Sequence, residues 1–200
     1  AKAIKKENLG LILIACNGIA TVEDLQTLKD AGVDAYNHNL ETAKDFYDEI
    51  CTTHPWEDRY QTCLNVKEVG LRLVCGGIFG MGETQEQRIS MLESIASLEP
   101  MNVPLNFFHP NEALPIVKNT ITREEAFELI TLARKMIPNA MKIMVAGGRE
   151  VMFGDEQYKI FEKGANAFVI GDYLTTAGKT PADDIAELEK HGYKIKRERQ

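Results

Sequence analysis

Short apolar runs alternate with longer amphipathic segments along this chain. Six of the short runs are typical of β-strands, because they hold mostly apolar, β-branched or aromatic residues between turn-forming residues. Most of them are continuous and do not alternate with polar residues, which is what a parallel sheet covered by helices requires. The strand candidates are LILIAC at 11–16, DAYNHN at 34–39, LRLVCGGI at 71–78, VPLNFF at 103–108, KIMVAG at 142–147 and AFVIGD at 167–172.

Helical patterns fill the intervals between these runs. Thr21 with Asp24, and Thr122 with Glu125, have the spacing of a capping box at a helix N-terminus. Pro55 lies in the first turn of a further candidate, where proline is tolerated. The helix candidates are 21–32, 55–70, 83–100, 122–138 and 154–165, with a closing helix inside 174–195. Successive strands begin ~31 residues apart, which is the length of one βα unit.

Six βα units predict an α/β fold, either a TIM-type (βα) barrel or a doubly wound sheet. We favour the barrel, because no GxGxxG sequence follows a strand to indicate the nucleotide-binding alternative. A complete (βα)8 barrel has eight units in about 250 residues. We therefore expect residues 1–200 to form one domain, the C-terminal three-quarters of a barrel with about six units present, ending in a charged tail at 195–200. We expect the two missing units to lie upstream of Ala1.

The composition excludes several classes of protein. The formal charge is −7 and no long basic block is present, which argues against a nucleic-acid partner. No apolar run approaches the ~18 residues of a membrane span, and the first residues lack the apolar stretch of a signal peptide. We expect a cytoplasmic protein with no membrane partner. The four cysteines show no CxxC spacing, so the sequence has no local metal motif.

Polar residues follow several predicted strands, at the end of the barrel where chemistry is built. Asn37, Asn39 and Asn106 are notable, because asparagine is depleted in strands and a buried amide requires hydrogen-bond partners. They indicate a polar ligand, or else they are ordinary strand-terminating turn residues. Since alternate residues of a strand share a face, His38 points away from the Asn pair, towards the helices.

Cysteines and a Gly-rich segment add candidate chemistry. Cys16 and Cys75 end strands two units apart and are placed to reach one central ligand such as an iron–sulfur cluster. Cys63 lies on an apolar helix face and is expected to pack in the core, whereas Cys51 is undecided. GGIFGMGET at 76–84 lets backbone approach a ligand, but no Lys-Ser/Thr follows, which excludes a P-loop. Arg59 is either a surface charge or a carboxylate clamp.

Several motifs, in this order, resemble the biotin synthase family of radical S-adenosylmethionine enzymes, which have a (βα)8 barrel. The resemblance covers almost the whole chain, and it rests on YNHNLET at 36–42, FYDEICTTHPWEDR at 46–59, VCGGIFGMGET at 74–84, VPLNF at 103–107, AGGRE at 146–150 and GANAFVIGDYLTT at 164–176. It implies insertion of sulfur into dethiobiotin to form biotin. It also implies a [4Fe–4S] cluster that cleaves S-adenosylmethionine to a 5′-deoxyadenosyl radical, and an auxiliary cluster, [2Fe–2S] or a variant, as sulfur donor.

The resemblance assigns expected roles to residues of this chain. Cys16 and Cys75 match metal ligands of the auxiliary cluster. The positions matching S-adenosylmethionine contacts are Asn39 and Glu41 at the ribose, Arg59 at the carboxylate, and Gly76, Ile78, Gly80 and Glu83 in a GxIxGxxE element beside the adenine. The positions expected to bind dethiobiotin are Asn37 and Asn106 at its ureido group, together with Asn39. A flavodoxin or ferredoxin electron donor and a homodimer are the family's expected partners.

The chain departs from the family pattern at two functional positions and in one mild change. The CxxxCxxC motif that binds the radical-generating cluster is absent, and we expect it upstream. Met144 stands where many members have an arginine ligand to the auxiliary cluster, which leaves that cluster's type open. Glu41 replaces the shorter Asp of some members. Two alternatives stay open: another radical S-adenosylmethionine enzyme, such as a hydrogenase maturase or lysine mutase, and a catalytically inactive barrel fragment.

Overall fold

Parallel strands form one open sheet in the computed structural model, which describes residues 1–110, 115, 121–173 and 177–195. The strands are β1 (Ile14–Ala15), β2 (Ala35–Asn37), β3 (Arg72–Val74), β4 (Gly77–Phe79), β5 (Asn102–Phe107), β6 (Lys142–Val145) and β7 (Ala167–Phe168). The order is β1-β2-β3-β5-β6-β7, with β4 also paired to β5, and every pairing is parallel. Strand order follows chain order, as in a βα barrel, and the partial-barrel prediction is confirmed.

The third predicted strand differs from the expectation. The run at 71–78 is divided into β3 and β4, with Cys75 and Gly76 between them. β3 pairs with β5 at Asn102, whereas β4 pairs further along the same strand. A Cβ on Gly76 would lie 1.8 Å from the carbonyl oxygen of Pro104. The chain therefore interrupts its ladder where its backbone approaches β5 too closely for a side chain.

The helices are α1 (Lys2–Lys6), α2 (Val22–Asp30), α3 (Trp56–Glu68), α4 (Gln85–Ser97), α5 (Arg123–Met136), α6 (Arg149–Phe153) and α7 (Pro181–Lys190). Both predicted capping boxes are present, at Thr21 with Asp24 and at Thr122 with Glu125. The helix predicted at 154–165 is wrong in type, because residues Gly154–Phe161 form a 3-10 helix that follows the short α6. A second 3-10 helix, Lys44–Glu49, precedes α3.

The core lies between the sheet and the helices that cover it. Leu105, Ile143 and Val145 of the central strands are fully buried, as are Leu92 and Ile130 of the covering helices. Within the described ranges no helix has both the length and the apolar character needed to cross a bilayer. Most of the predicted charged tail, 196–200, lies outside the described residues.

Candidate active site at the carboxyl ends of the strands

The segment after β2 carries the first polar cluster. Glu41 has a φ of 68°, which is uncommon for a residue with a side chain. Its carbonyl oxygen accepts a 2.7 Å hydrogen bond from the backbone N–H of Ile78, and it pairs in parallel with Gly77. This backbone turn brings the Glu41 carboxylate to the guanidinium of Arg59, 3.2 Å away. Burial raises the pKa of Glu41, and the charge of Arg59 opposes that rise.

Arg59 lies in the first turn of α3 and projects towards the end of β2. Its Nη1 donates to the carbonyl oxygen of Asn39 at 3.1 Å and to Glu41 at 3.2 Å. Its Nε donates to the hydroxyl of Tyr47 at 2.7 Å. Only 18 % of the side chain is exposed, so Arg59 is not the surface charge that the sequence left open. Among the described residues no group accepts from Nη2, which leaves donors for an anionic ligand.

The loop after β4 is held by a buried carboxylate. Glu83 accepts hydrogen bonds from the backbone N–H groups of Gly80 at 2.7 Å and Met81 at 2.8 Å, and Arg88 donates to it at 2.9 Å. Gly80 has a φ of 93°, which glycine adopts without strain. The side chain of Glu83 is only 1 % exposed and therefore shapes the loop from within. Its carboxylate oxygens accept from these N–H groups and from Arg88.

Two asparagines line the face between these loops. The Nδ2 of Asn37 lies 3.5 Å from the sulfur of Cys16, while its Oδ1 is buried and has no partner among the described residues. Asn106 donates to the carbonyl oxygen of Gly77 at 3.0 Å and accepts from the backbone N–H of Gly147 at 2.8 Å. Asn106 thus joins two loops, and an orphaned acceptor at Asn37 is a polar atom that a ligand donor would satisfy.

Asn39 and Ile78 complete the predicted set. The Oδ1 of Asn39 accepts from the backbone N–H of Gly76 at 3.1 Å, so its amide fixes the Gly-rich segment. Ile78 is half-buried on β4 and is the register partner of Asn106. The structure therefore brings the predicted residues from 37 to 106 to one end of the sheet.

The two predicted cluster cysteines face different sides of the sheet. Cys16 is exposed and lies against Asn37. Asn37 is the register partner of Val74, so the next residue, Cys75, points to the opposite face. There its sulfur lies 3.8 Å from that of Cys63 on α3. Cys63 and burial raise the pKa of Cys75 well above its usual range, which disfavours the thiolate that a metal ligand needs.

The described residues do not supply a full set of cluster ligands. No group of three or more His, Cys, Asp or Glu side chains able to hold a metal occurs within these ranges. Met144 is half-buried and is the register partner of Pro104. Because Pro104 and Asn106 are two residues apart on β5, Met144 lies on the face that carries Asn106. The position where the resemblance implies a further ligand to the auxiliary cluster therefore shares the face of Asn106 and offers only a thioether.

His38 and the remaining cysteines lie on the helix side, as the strand alternation predicts. His38 is 5 % exposed, and burial, with smaller contributions from Arg59 and His54, lowers its pKa to about 4. Cys63 donates to the carbonyl oxygen of His38 at 3.4 Å and packs in the core as expected. Cys51 is half-buried, and a hydrogen bond from Thr53 is the largest cause that lowers its pKa to about 7.

Sequence reasoning missed two residues of this site. Tyr47 is 1 % exposed, and its hydroxyl lies 2.8 Å from the Nε2 of His54 as well as bonding to Arg59. Both residues lie inside a motif that carries the family resemblance, but neither falls in a helix or strand pattern. No periodic signal marks them, since they come from a 3-10 helix and from the irregular segment before α3.

Two family models match the chain and together cover most of it. The model of the radical SAM superfamily matches residues 1–95, and that of the biotin and thiamin synthesis associated domain matches residues 104–194. The second region holds Asn106 and Met144, and the first holds the other candidate site residues. The two matches meet at the beginning of β5, so the site draws on both regions.

Curated relatives match over nearly the whole chain. A biotin synthase from Aliarcobacter butzleri is 63% identical over 195 residues, which is 98% of this chain and 69% of that protein. A biotin synthase from Nitratiruptor is 60% identical to this chain, and the match spans 70% of that protein. These identities overturn the alternative of a different radical S-adenosylmethionine enzyme.

Solved structures share the fold at low sequence identity. Methylornithine synthase superposes with a TM-score of 0.78 at 20% identity, over 98% of this chain and 62% of that one. A maturase of [FeFe]-hydrogenase also gives 0.78, at 15% identity, over 94% of this chain and 45% of that one. At such identities the likeness supports the barrel architecture alone.

Proposed function

The chain belongs to the biotin synthase family, and we propose that its strand ends bind S-adenosylmethionine and dethiobiotin side by side for that family's sulfur insertion. Family membership implies S-adenosylmethionine and iron–sulfur clusters as cofactors and dethiobiotin as substrate. When bound, the clusters supply the electron for radical formation and the sulfur that is inserted. The chain's own contribution is to bind the two organic molecules, to orient them and to exclude water.

We propose that Arg59 binds the carboxylate of S-adenosylmethionine. The guanidinium is largely buried, its charge is opposed by one carboxylate at 3.2 Å, and its Nη2 faces no acceptor in the described ranges. A charge-assisted hydrogen bond to a carboxylate is stronger than a neutral one. This arrangement of Arg59 is the observation that carries the proposal.

The remaining contacts with S-adenosylmethionine follow from the same loops. The carboxylate of Glu41 and the amide of Asn39 lie next to Arg59 and offer acceptors and donors suited to ribose hydroxyls. Gly76, Ile78 and Gly80 present backbone and one apolar side chain to an adenine ring, as the motif implies. Glu83 holds that loop through the N–H groups of Gly80 and Met81 and makes no ligand contact in our proposal.

We propose that Asn37 and Asn106 bind the ureido group of dethiobiotin. The orphaned Oδ1 of Asn37 is an acceptor for a ureido N–H, and its burial makes an unsatisfied state costly. Asn106 uses one donor and one acceptor within the protein, and an amide retains a second N–H and a second lone pair. Asn39 lies between these residues and the nucleotide contacts.

The proposal extends to the iron–sulfur clusters. We propose a radical-generating [4Fe–4S] cluster and an auxiliary cluster, [2Fe–2S] or a variant, with Cys16 as the ligand from this chain. Cys75 stays a prediction, because its thiol lies against Cys63 on the opposite face. A flavodoxin or ferredoxin donor, a homodimer and a cytoplasmic location rest on the family resemblance and the composition alone.

A crossed pair of variants tests the two binding assignments. With anaerobically purified protein, equilibrium dialysis is expected to show Arg59→Gln binding S-adenosylmethionine about 10- to 100-fold more weakly, because a charge-assisted bond is lost. Asn37→Ala is expected to weaken dethiobiotin about tenfold while leaving S-adenosylmethionine within about twofold. Arg72→Gln, at a half-exposed arginine on β3, is the control and should change neither. Equal losses for both ligands in Arg59→Gln would contradict the assignments.

A further inference from the structure

A hydrogen-bonded chain extends from Arg59 away from the proposed ligand. The Nε of Arg59 lies 2.7 Å from the hydroxyl of Tyr47, which lies 2.8 Å from the Nε2 of His54. The Nδ1 of His54 lies 2.9 Å from the hydroxyl of Thr53. Tyr47 comes from the 3-10 helix and the other two from the segment before α3, so residues from separate turns converge behind one guanidinium.

The direction of each hydrogen bond follows from the chemistry of its ends. A guanidinium only donates, so the Tyr47 oxygen accepts from Arg59 and turns its own hydrogen towards His54. Burial raises the pKa of Tyr47 to about 12, so the hydroxyl keeps that hydrogen. The Nε2 of His54 then accepts, which places the imidazole proton on Nδ1, facing the Thr53 hydroxyl.

This hydrogen-bonded chain holds the Nε of Arg59 and leaves its Nη2 for a ligand. The Tyr47 ring also lies under the guanidinium, and the Cζ of Arg59 is 5.9 Å from the ring centre. An arginine side chain has many rotamers, and ordering it when a ligand binds costs conformational entropy. A guanidinium that is already fixed avoids this cost when it binds a carboxylate. Tyr47 itself is 1 % exposed and has no room to change rotamer.

We propose that Tyr47 and His54 are positioning residues that hold Arg59 in the orientation required for the carboxylate of S-adenosylmethionine. The inference rests on the proposed function and extends it to two residues that do not touch the ligand. Tyr47 sets the rotation of the guanidinium through Nε, and His54 sets the orientation of the Tyr47 hydroxyl. A purely structural role would instead be to satisfy buried polar atoms, with no preference for a carboxylate ligand.

The test compares two ligands that differ only in the carboxylate: S-adenosylmethionine and decarboxylated S-adenosylmethionine. Dissociation constants are measured by equilibrium dialysis on the anaerobically purified protein. Tyr47→Phe keeps the ring and removes the hydroxyl. It is expected to weaken S-adenosylmethionine about 5- to 10-fold and the decarboxylated ligand less than twofold. His54→Ala is expected to give a smaller loss of the same selectivity, about 2- to 3-fold.

Matched variants make each outcome decisive. Tyr60→Phe is the control, because the Tyr60 hydroxyl bonds to Ser97, the last residue of α4, and should matter for neither ligand. The double variant Tyr47→Phe, Arg59→Gln should bind no more weakly than Arg59→Gln alone, since the two act through one contact. The ratio of the two dissociation constants is measured on one protein, so a general loss of stability does not change it.

The failures of the two proposals are distinguishable. Equal weakening of both ligands in Tyr47→Phe would overturn the positioning role and show a structural one. In another outcome, Arg59→Gln loses the preference for S-adenosylmethionine over the decarboxylated ligand while Tyr47→Phe retains it. That result would overturn the inference and leave the carboxylate contact intact. If Arg59→Gln leaves the ratio between the two dissociation constants unchanged, the carboxylate contact is wrong. The positioning role then fails with it.

Discussion

Two arginines of this chain, the half-buried Arg59 and the fully buried Arg149, differ in how their charge is used. Arg149 begins α6 and its side chain is fully buried. Its Nη1 and Nη2 donate to Asp184 at 2.9 and 2.7 Å, and further to Gln157 and Glu150. Phe168 stacks on the guanidinium at 4.3 Å. Arg59 bonds to a single carboxylate, and its Nη2 has no partner in the described ranges.

The contrast shows what separates a structural arginine from a binding one. Around Arg149 two carboxylates and a glutamine receive the terminal donors, and Asp184 belongs to α7, so the network ties the last helix to the sheet. Around Arg59 the acceptors bond to Nε and Nη1, and Nη2 meets none in the described ranges. A bidentate pair that is already complete stabilises the fold, whereas an incomplete one is a site for an anion.

The largest expected effect is on the stability contributed by Arg149. Asp184→Asn keeps the shape but leaves a fully buried guanidinium with its bidentate partner gone, and removing one member of a buried pair typically costs about 3–5 kcal/mol. Urea unfolding should show that loss. Arg59→Gln is the matched variant and should cost less, about 1.5–3 kcal/mol, because it removes hydrogen bonds of a charged group from a pair that is only partly enclosed. Similar losses in the two variants would break the comparison.

The same contrast shows how much of the site was accessible from the sequence. Capping boxes at Thr21 and Thr122 and the strand-end asparagines depend on neighbours within a few residues, and local patterns predict them. The pairing of Arg149 with Asp184 joins residues 35 apart in sequence, and no periodicity links α6 to α7. Arg59 was left open between two roles, because its burial depends on Tyr47 and Glu41, which reach it from an irregular segment.

The division of the third strand was also beyond local patterns. An apolar run at 71–78 predicts a single strand, and only the contact of Gly76 with the backbone of Pro104 explains the interruption. The orientation of Cys75 follows from the same turn. A sequence identifies a cysteine at a strand end, but the face that its thiol occupies depends on the register with β2.

A smaller effect should be visible at His38, which senses the charge of Arg59. Its pKa is about 4 in the fold and about 6.5 in an unfolded chain, so only the unfolded state binds a proton between these values. This group therefore has no effect on stability above pH 7, and stability falls as the pH drops from about 6.5 towards 4. Between pH 7 and pH 5 the loss should be at most about 2 kcal/mol.

Two variants isolate this pH dependence. His38→Phe should flatten that part of the urea-unfolding profile. Arg59→Gln removes the positive charge of Arg59, which lowers the pKa of His38 after burial, so the NMR-measured pKa of His38 should rise. No such rise would indicate that the charge of Arg59 is as fully neutralised as that of Arg149, and the comparison would have to be abandoned.

The smallest expected effect concerns a third arginine, Arg88, whose side chain is more buried than that of Arg59 and less buried than that of Arg149. It donates to the buried Glu83 at 2.9 Å and to Glu125 at 3.4 Å, and the side chain of Glu125 is 44% exposed. Glu125→Gln keeps the capping box with Thr122, because glutamine serves at that position as well. The weakened ion pair has a half-exposed carboxylate, so the free energy of unfolding in urea should change by about 0.5 kcal/mol or less. Glu83→Gln supplies the upper reference, since it changes the enclosed carboxylate that also holds Gly80 and Met81. If the two variants lower the free energy of unfolding equally, enclosure of the carboxylate does not determine how much an arginine stabilises this fold. The distinction between Arg59 and Arg149 would then need another cause.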